Sequence, residues 1–244
     1  MALLLGSGAN LATFFALPHG IVGGEFSFGA WIYPTAWTAD SVILDNEPLD
    51  PLFYVASSGI VQTYFGGAGV GYNTAISLNV WTHVGIMRKG DTGYVFINGV
   101  QESTTANWAS KTYGTHILRA GADSAGGGDG FDGRLAEFCL WRRKAIGVAG
   151  FRDLARGVNP NDIPATAAQR FGYWPMRGGP NYAREEWNGY HMRSAHASAV
   201  PVIAPHPFVM PPRTKVRRSG RNSVAGGAPS AGTITSMLPM MGVG

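Results

Sequence analysis

The stretch VWTHVGIMRKGDTGYVFINGV, residues 80–100, decides the fold. In its first half Trp81, His83, Gly85 and Met87 share one face, and Val80, Thr82, Val84, Ile86 and Arg88 share the other. That period of two belongs to a strand. KGDTG then reverses the chain, because Gly tolerates positive φ and Asp closes a turn with its own side chain. YVFINGV, 94–100, is the returning strand, and Asn98-Gly99 is a second turn signal.

Working outward, the same pattern recurs. EFSFGAWIYP, 25–34, puts Phe26, Phe28, Ala30 and Ile32 on one face and Trp31 and Tyr33 on the other, and Pro34 ends it. SVILD, 41–45, follows. LFYVA, 52–56, and IVQTYF, 60–65, flank SSG as a hairpin. GGAGVGYN reads as a Gly-rich connection, and TAISL, 74–78, and HILRAGA, 116–122, as further strands. FDGRLAEFCLWRR, 131–143, is the longest strand pattern. Leu135 and Phe138 differ in parity there, which predicts a bulge or a switch of buried face. The N-terminal MALLLGSGANLATFFALPHG lacks a positive n-region and is interrupted by Gly6, Ser7, Gly8 and Asn10, so it reads as a first strand and turn of the fold.

After residue 145 the pattern changes. One short helix is expected at about 148–156, with Gly157 as its cap and Pro160 as its stop. A late strand is expected at Phe171–Met176, pairing back with early chain. Residues 178–200 read as polar and aromatic loop. The expected architecture is all-β: a two-sheet antiparallel jelly-roll sandwich over 1–200, with one short helix, and an extended C-terminal arm over 201–244.

Composition agrees with that picture. The chain has 244 residues, 45% apolar, enough to fill a core, and 35 glycines without a triplet period, which excludes collagen. Its single cysteine, Cys139, permits no intrachain disulfide and sits in an apolar run as a small hydrophobe. No run of about 18 apolar residues offers a membrane helix. The formal charge is +4, but Arg213, Lys215, Arg217, Arg218 and Arg221 stand in the arm with no acid beside them. The 14 basic and 15 acidic residues before them nearly cancel. The basicity therefore belongs to the arm alone.

The segments FSFGAWIYP (26–34), ISLNVWTHVGIMRKGDTGYVFINGV (76–100) and FDGRLAEFCLWRR (131–143) resemble, in order and spacing, the concanavalin A-like jelly rolls, close to laminin-G-like and pentraxin-like modules. The matching features are an early strand with Trp, W-x-H-V leading into Y-x-F-x-N-G, and a late G-x-L-x-E-x-x-x-W strand, over about 25–145. FRDLARGVNPNDIPATAAQRFGYWPM (151–176) and HPFVMPP (206–212) are similar to a subset of these modules that bacteriophages encode and carry in their virions. The resemblance implies a virion structural protein, a capsid decoration, minor capsid or tail-associated component. It would act through contacts with other virion proteins, as a symmetric homo-oligomer or on a capsid lattice. The alternative from another class is a lectin-like carbohydrate-binding module, and the two coexist if a virion protein adheres to a surface glycan.

For glycan binding, Trp37, Tyr72, Trp108 and Tyr113 lie in or near loops and are the candidate aromatic platform. For calcium, which related modules bind, Asp45, Asn46, Asp123, Asp129 and Asp132 are the candidate oxygen donors, with ordinary turn residues as the competing reading. No other cofactor is expected. For glycoside hydrolysis two carboxylates must face one sugar at about 5–9 Å. Glu137 stands isolated on its strand, exposed or paired with Arg134 or Arg142, and Glu185 and Glu186 diverge, so no enzyme is expected. The six histidines are scattered, and His83 belongs to a strand. The arm cations are candidates for assembly or polyanion contact; without interleaved aromatics, nucleic acid is not the expected target.

Overall fold

The computed structural model describes residues 2–5, 11–16, 24–46, 53–65, 68–109, 117–121, 130–176, 185–189, 192–194 and 202–204. Its compact unit runs from Met1 to Met210; the remainder of the arm, from Pro211, is a separate unit outside the described residues. No described helix is long and apolar enough to cross a membrane.

The strands are β1 (Ala2–Leu5), β2 (Leu11–Ala16), β3 (Phe26–Ala36), β4 (Asp40–Asn46), β5 (Phe53–Ala56), β6 (Ile60–Phe65), β7 (Ala68–Ala75), β8 (Thr82–Lys89), β9 (Thr92–Ile97), β10 (Val100–Asn107), β11 (Ile117–Ala120), β12 (Asp132–Arg142), β13 (Arg170–Trp174), β14 (Met192–Ser194) and β15 (Val202–Ala204). They form two antiparallel sheets. Sheet A runs β10-β9-β8-β3-β12-β1-β15, with β13 also on β12. Sheet B runs β14-β2-β11-β4-β5-β6-β7. This is the expected jelly-roll sandwich.

The core between the sheets is the alternating apolar face read from the sequence. Phe26, Phe28, Ala30 and Ile32 of β3 and Val84 and Ile86 of β8 meet Ile43, Phe53, Val55 and Val61 of sheet B. Phe28 packs edge-on against Phe53 and Phe138. The free edges are joined as well. Glu102 on β10 accepts hydrogen bonds from Asn73 N (3.0 Å), Thr74 N (3.2 Å) and Thr74 Oγ1 (2.6 Å) on β7. A register shift in β10 between Gln101 and Thr105 accompanies this link. Two exposed strand edges are thereby occupied.

The parity break in β12 is a bulge. Ala136 pairs with Trp31, but Cys139 pairs with Gly29, so Glu137 and Phe138 together oppose Ala30. Glu137 has φ +52°, a left-handed value unusual for a residue with a side chain. The extra residue keeps Leu135, Phe138 and Leu140 all in the inner core and turns Cys139 and Trp141 outward.

The outward face of sheet A carries a second core. Gly29 and Gly85 are register partners there, and they leave a bare hollow. The helix α1 (Gly147–Ala155) fills it. Phe151 stacks on Phe96 at 4.0 Å and 13°, and a Cβ on Gly85 would lie 2.2 Å from the Phe151 ring. Leu154 occupies the space above Gly29. Ser27 fixes the helix entry, since its hydroxyl donates to Lys144 O (2.8 Å) and accepts from Ile146 N (3.0 Å). Gly157, at φ +84°, closes the helix, as expected.

Four expectations are corrected, and one strand is added. GGAGVGYN is not a connection but most of β7, held by pairing with β6 despite its glycines. TAISL is strand only to Ala75; Ile76 then turns inward, its N–H bonded to Gly59 O at 2.8 Å. β10 is a strand that its polar residues concealed. β13 pairs with β12, not with early chain. Residues 192–194 and 202–204, read as loop and arm, are short strands on β2 and β1; three residues are too few to show a period.

The hollow yields a first prediction. Gly85→Ala drives a methyl into the Phe151 ring and should destabilise the fold by about 1–3 kcal/mol. Phe151→Ala should cost about 3–5 kcal/mol. In the Phe151→Ala background the Gly85→Ala cost should largely disappear. Urea unfolding of the four proteins reads this coupling directly.

Candidate functional site

The expected aromatic platform does not assemble. Trp108 is fully buried: it stacks on Phe26 at 6.0 Å and 9°, and its indole fills the space above Gly93. Tyr72 points into the core from β7, 3% exposed, with its hydroxyl 3.2 Å from Thr63 Oγ1. Burial raises its pKa. Neither ring can meet a ligand at the surface. Trp37 is half-buried against the core beside Gly59. Tyr113 lies outside the described residues. Trp108 and Tyr72 misled because their neighbours in sequence are polar or glycine, while each ring alone turns inward.

The calcium candidates are likewise dispersed. Asp45 is 1% exposed and faces Arg119 across the strand pair at 3.4 Å, so its charge is already balanced. Asn46 contributes backbone to β4. Asp132 starts β12, and burial raises its pKa, which disfavours the charged form a cation needs. Asp123 and Asp129 lie outside the described residues. Among the described residues no group of three His, Cys, Asp or Glu side chains converges. The arm residues Arg213, Lys215, Arg217, Arg218 and Arg221 also lie outside them.

Two carboxylates have structural partners. Glu137 is buried, not exposed, and accepts a hydrogen bond from the Tyr173 hydroxyl. Glu185, also buried, accepts from the backbone N–H groups of Tyr173 (2.8 Å), Trp187 (2.6 Å), Asn188 and Gly189. It thereby pins Trp187 against Trp141 and Tyr173. His83 is buried under α1, edge-on to Trp31 at 5.4 Å, and its Nδ1 has no hydrogen-bond partner. Burial pulls its pKa down to about 3, so it is neutral.

What the structure brings together instead is a row on the outward face of sheet B. Val61 and Thr63 of β6 point into the core, so Gln62 and Tyr64 point out, both half-exposed. Tyr54 of β5 faces Gln62, and its hydroxyl donates to Gln62 Oε1 at 2.8 Å. That bond fixes the amide so that its nitrogen is directed away from Tyr54, and the nitrogen makes no hydrogen bond among the described residues. On the other side, Gly71 and Gly69 of β7 stand opposite Gln62 and Tyr64. The Tyr64 ring leans over Gly69, 3.3 Å from where a Cβ would be. The row thus offers one aromatic surface, one oriented pair of amide donors and a floor without side chains. The sequence signal was present in IVQTYF, but alternation alone does not say which face remains open.

A family model described as the concanavalin A-like lectin/glucanases superfamily, of laminin-G type, matches residues 8–146. No curated protein matches the chain by sequence. Among solved structures, the fold is similar to a provisionally assigned carbohydrate binding protein from Bacteroides ovatus, at TM-score 0.61 and 14% identity. That match covers 85% of this chain and 60% of the other, so this chain spans just under two thirds of that neighbour's length. It is also similar to the heptameric SAP-like pentraxin from Limulus polyphemus, at TM-score 0.57 and 14% identity, over 83% of this chain and 94% of that one.

The state of His83 gives a pH prediction. Its folded pKa lies below the unfolded value of 6.5, so the unfolded chain binds the extra proton between about 3 and 6.5. Its contribution to stability is therefore present above pH 6.5 and is lost as the pH falls toward 3, by about 1.4 kcal/mol per pH unit. Urea titrations at several pH values should show this slope, and His83→Gln should remove one proton from it.

Proposed function

The chain belongs to the concanavalin A-like lectin/glucanases superfamily, and on that premise we propose that it is a lectin-like carbohydrate-binding module whose sugar face is formed by Gln62 and Tyr64 of the Tyr54–Gln62–Tyr64 row, with buried Tyr54 orienting the Gln62 amide. The observation that carries this reading is the Tyr54–Gln62 hydrogen bond beside a half-exposed ring. A pyranose lays its C–H face on Tyr64, and a hydroxyl oxygen accepts from Gln62 Nε2. Gly69 and Gly71 let the sugar approach the backbone closely. None of these groups is charged, which suits a neutral sugar. The likeness to a provisionally assigned carbohydrate binding protein supports the same class.

The reading is one of binding without chemistry. A glycosidase needs an acid and a second carboxylate at one sugar. Glu137 and Glu185 are buried and engaged in holding the fold, and neither lies on the row.

A virion setting is the second reading, and the arm favours it. Five cations within nine residues, with no acid, suit contact with acidic protein surfaces and ordering on assembly. A module of this kind on a particle, packed against symmetric neighbours, would present its sugar face to a host glycan. Proteomics of purified particles tests that setting: absence of the chain from them removes it.

The sugar reading is tested on the full chain by a glycan array followed by titration calorimetry. Gln62→Ala and Tyr64→Ala should each weaken binding at least about tenfold, or about 1.4 kcal/mol, without lowering the melting temperature. Silence across the array, or affinity indifferent to both substitutions, would sink it.

A further inference from the structure

The helix α1 covers only part of the outward face of sheet A. Beyond it, Trp81, Tyr33 and Arg134 lie in line across neighbouring strands. Tyr33 and Arg134 are register partners on β3 and β12, and Trp81 directly precedes β8, whose Thr82 pairs with Ile32. The Tyr33 and Trp81 rings are 5.5 Å apart, tilted by 53°. The Arg134 Cζ lies 4.7 Å from the Tyr33 ring centroid. All three side chains are half-buried, and buried Trp31 and Ala136 form a floor with Trp81. Leu78 and Val80, 39% and 51% exposed, extend the apolar rim, and Asn79 N bonded to Pro34 O at 2.8 Å holds that turn beside β3.

Arg134 is the decisive group. Its guanidinium makes no hydrogen bond or ion pair with a described residue, and its Nε is buried without an acceptor. Among the described residues, the other arginines that are not exposed are engaged. Arg88 donates to Gly90 O and Trp108 O, Arg119 faces Asp45, Arg142 donates to Ala168 O, and Arg170 to Asn161 O. The described acids nearest Arg134 in sequence form no ion pair with it. Glu137 is turned by the bulge onto Tyr173, and no ion pair joins Asp132 to Arg134. A half-buried cation with its donors unmet is costly unless an anion completes it. An arginine seated on an aromatic ring still offers its N–H fork to an oxyanion.

We propose that Trp81, Tyr33 and Arg134 form a site for an anionic saccharide residue, its ring against Trp81 and its carboxylate or sulfate oxygens on the Arg134 guanidinium. The sugar class rests on the lectin reading above; the anion and the stacking follow from this site alone. It is separate from the uncharged Tyr54–Gln62–Tyr64 row, which is on the other sheet.

The test titrates the full chain with an oligogalacturonate, a sulfated oligosaccharide of similar length and a neutral maltooligosaccharide. At least one anionic probe should bind with salt-dependent affinity, and which one identifies carboxylate or sulfate as the group recognised. Arg134→Gln and Trp81→Ala should each weaken that binding at least about tenfold, with the melting temperature of Arg134→Gln unchanged. Gln62→Ala should leave it intact. Failure of both anionic probes to bind overturns the proposal. So does anion binding that survives Arg134→Gln, the result expected if the arm cations capture the probe. Loss of sugar binding on Gln62→Ala reports on the other face, so the two readings fail independently.

Discussion

The pairing of Gly29 with Gly85 is the constraint on which the outward half of this molecule depends. Two side chains are missing at adjacent points of neighbouring strands, and the sheet surface sinks there. Phe151 and Leu154 of α1 enter the hollow, and Phe96 supplies the stacking partner. Burying two large apolar side chains contributes about 1.5–3 kcal/mol each. Around this pair the sheet is thereby covered on both faces, inward by sheet B and outward by the helix and the segment around Trp187. His83 lies under that cover, which is why it stays neutral.

The bulge at Glu137 has a comparable reach. A regular strand would send Phe138 outward if Leu135 pointed inward. One additional residue restores both to the core and delivers Cys139 and Trp141 to the outer face, where they join Phe151 and Tyr173. The same insertion turns the Glu137 carboxylate onto the Tyr173 hydroxyl of the outer cluster. On that outer face Tyr173 engages the acid, and no ion pair joins it to Arg134. The guanidinium beside Tyr33 is left without an ion-pair partner among the described residues.

The sandwich was legible because its two faces differ in polarity, and alternation in β3, β8, β9 and β12 records that difference residue by residue. The parity break between Leu135 and Phe138 even announced the bulge. β7 and β10 were less visible because edge strands need no outward apolar face: glycines or threonines suffice once a neighbour and Glu102 satisfy the backbone. The site was the least legible part. Trp108 and Tyr72 sit among polar and glycine neighbours that suggest loops, yet Gly93 and Thr63 provide the space and the partner that hold them inside. Gln62 and Tyr64 sit in an ordinary strand pattern, and nothing local distinguishes an open face from a covered one.

By itself, then, the sequence determined the class of fold, the turns that reverse it, the helix and its glycine stop, and the concentration of positive charge in the arm. These are properties of spacing and composition within about ten residues, where backbone geometry acts directly. Only the tertiary structure decided which aromatics are buried, which carboxylates are engaged and which surfaces of the two sheets stay open. Those outcomes depend on contacts between residues far apart in the chain, such as Phe151 with Gly85, Tyr173 with Glu137 and Arg134 with Tyr33. Exposure is set by the elements that pack over a side chain, and its immediate neighbours in sequence do not specify them.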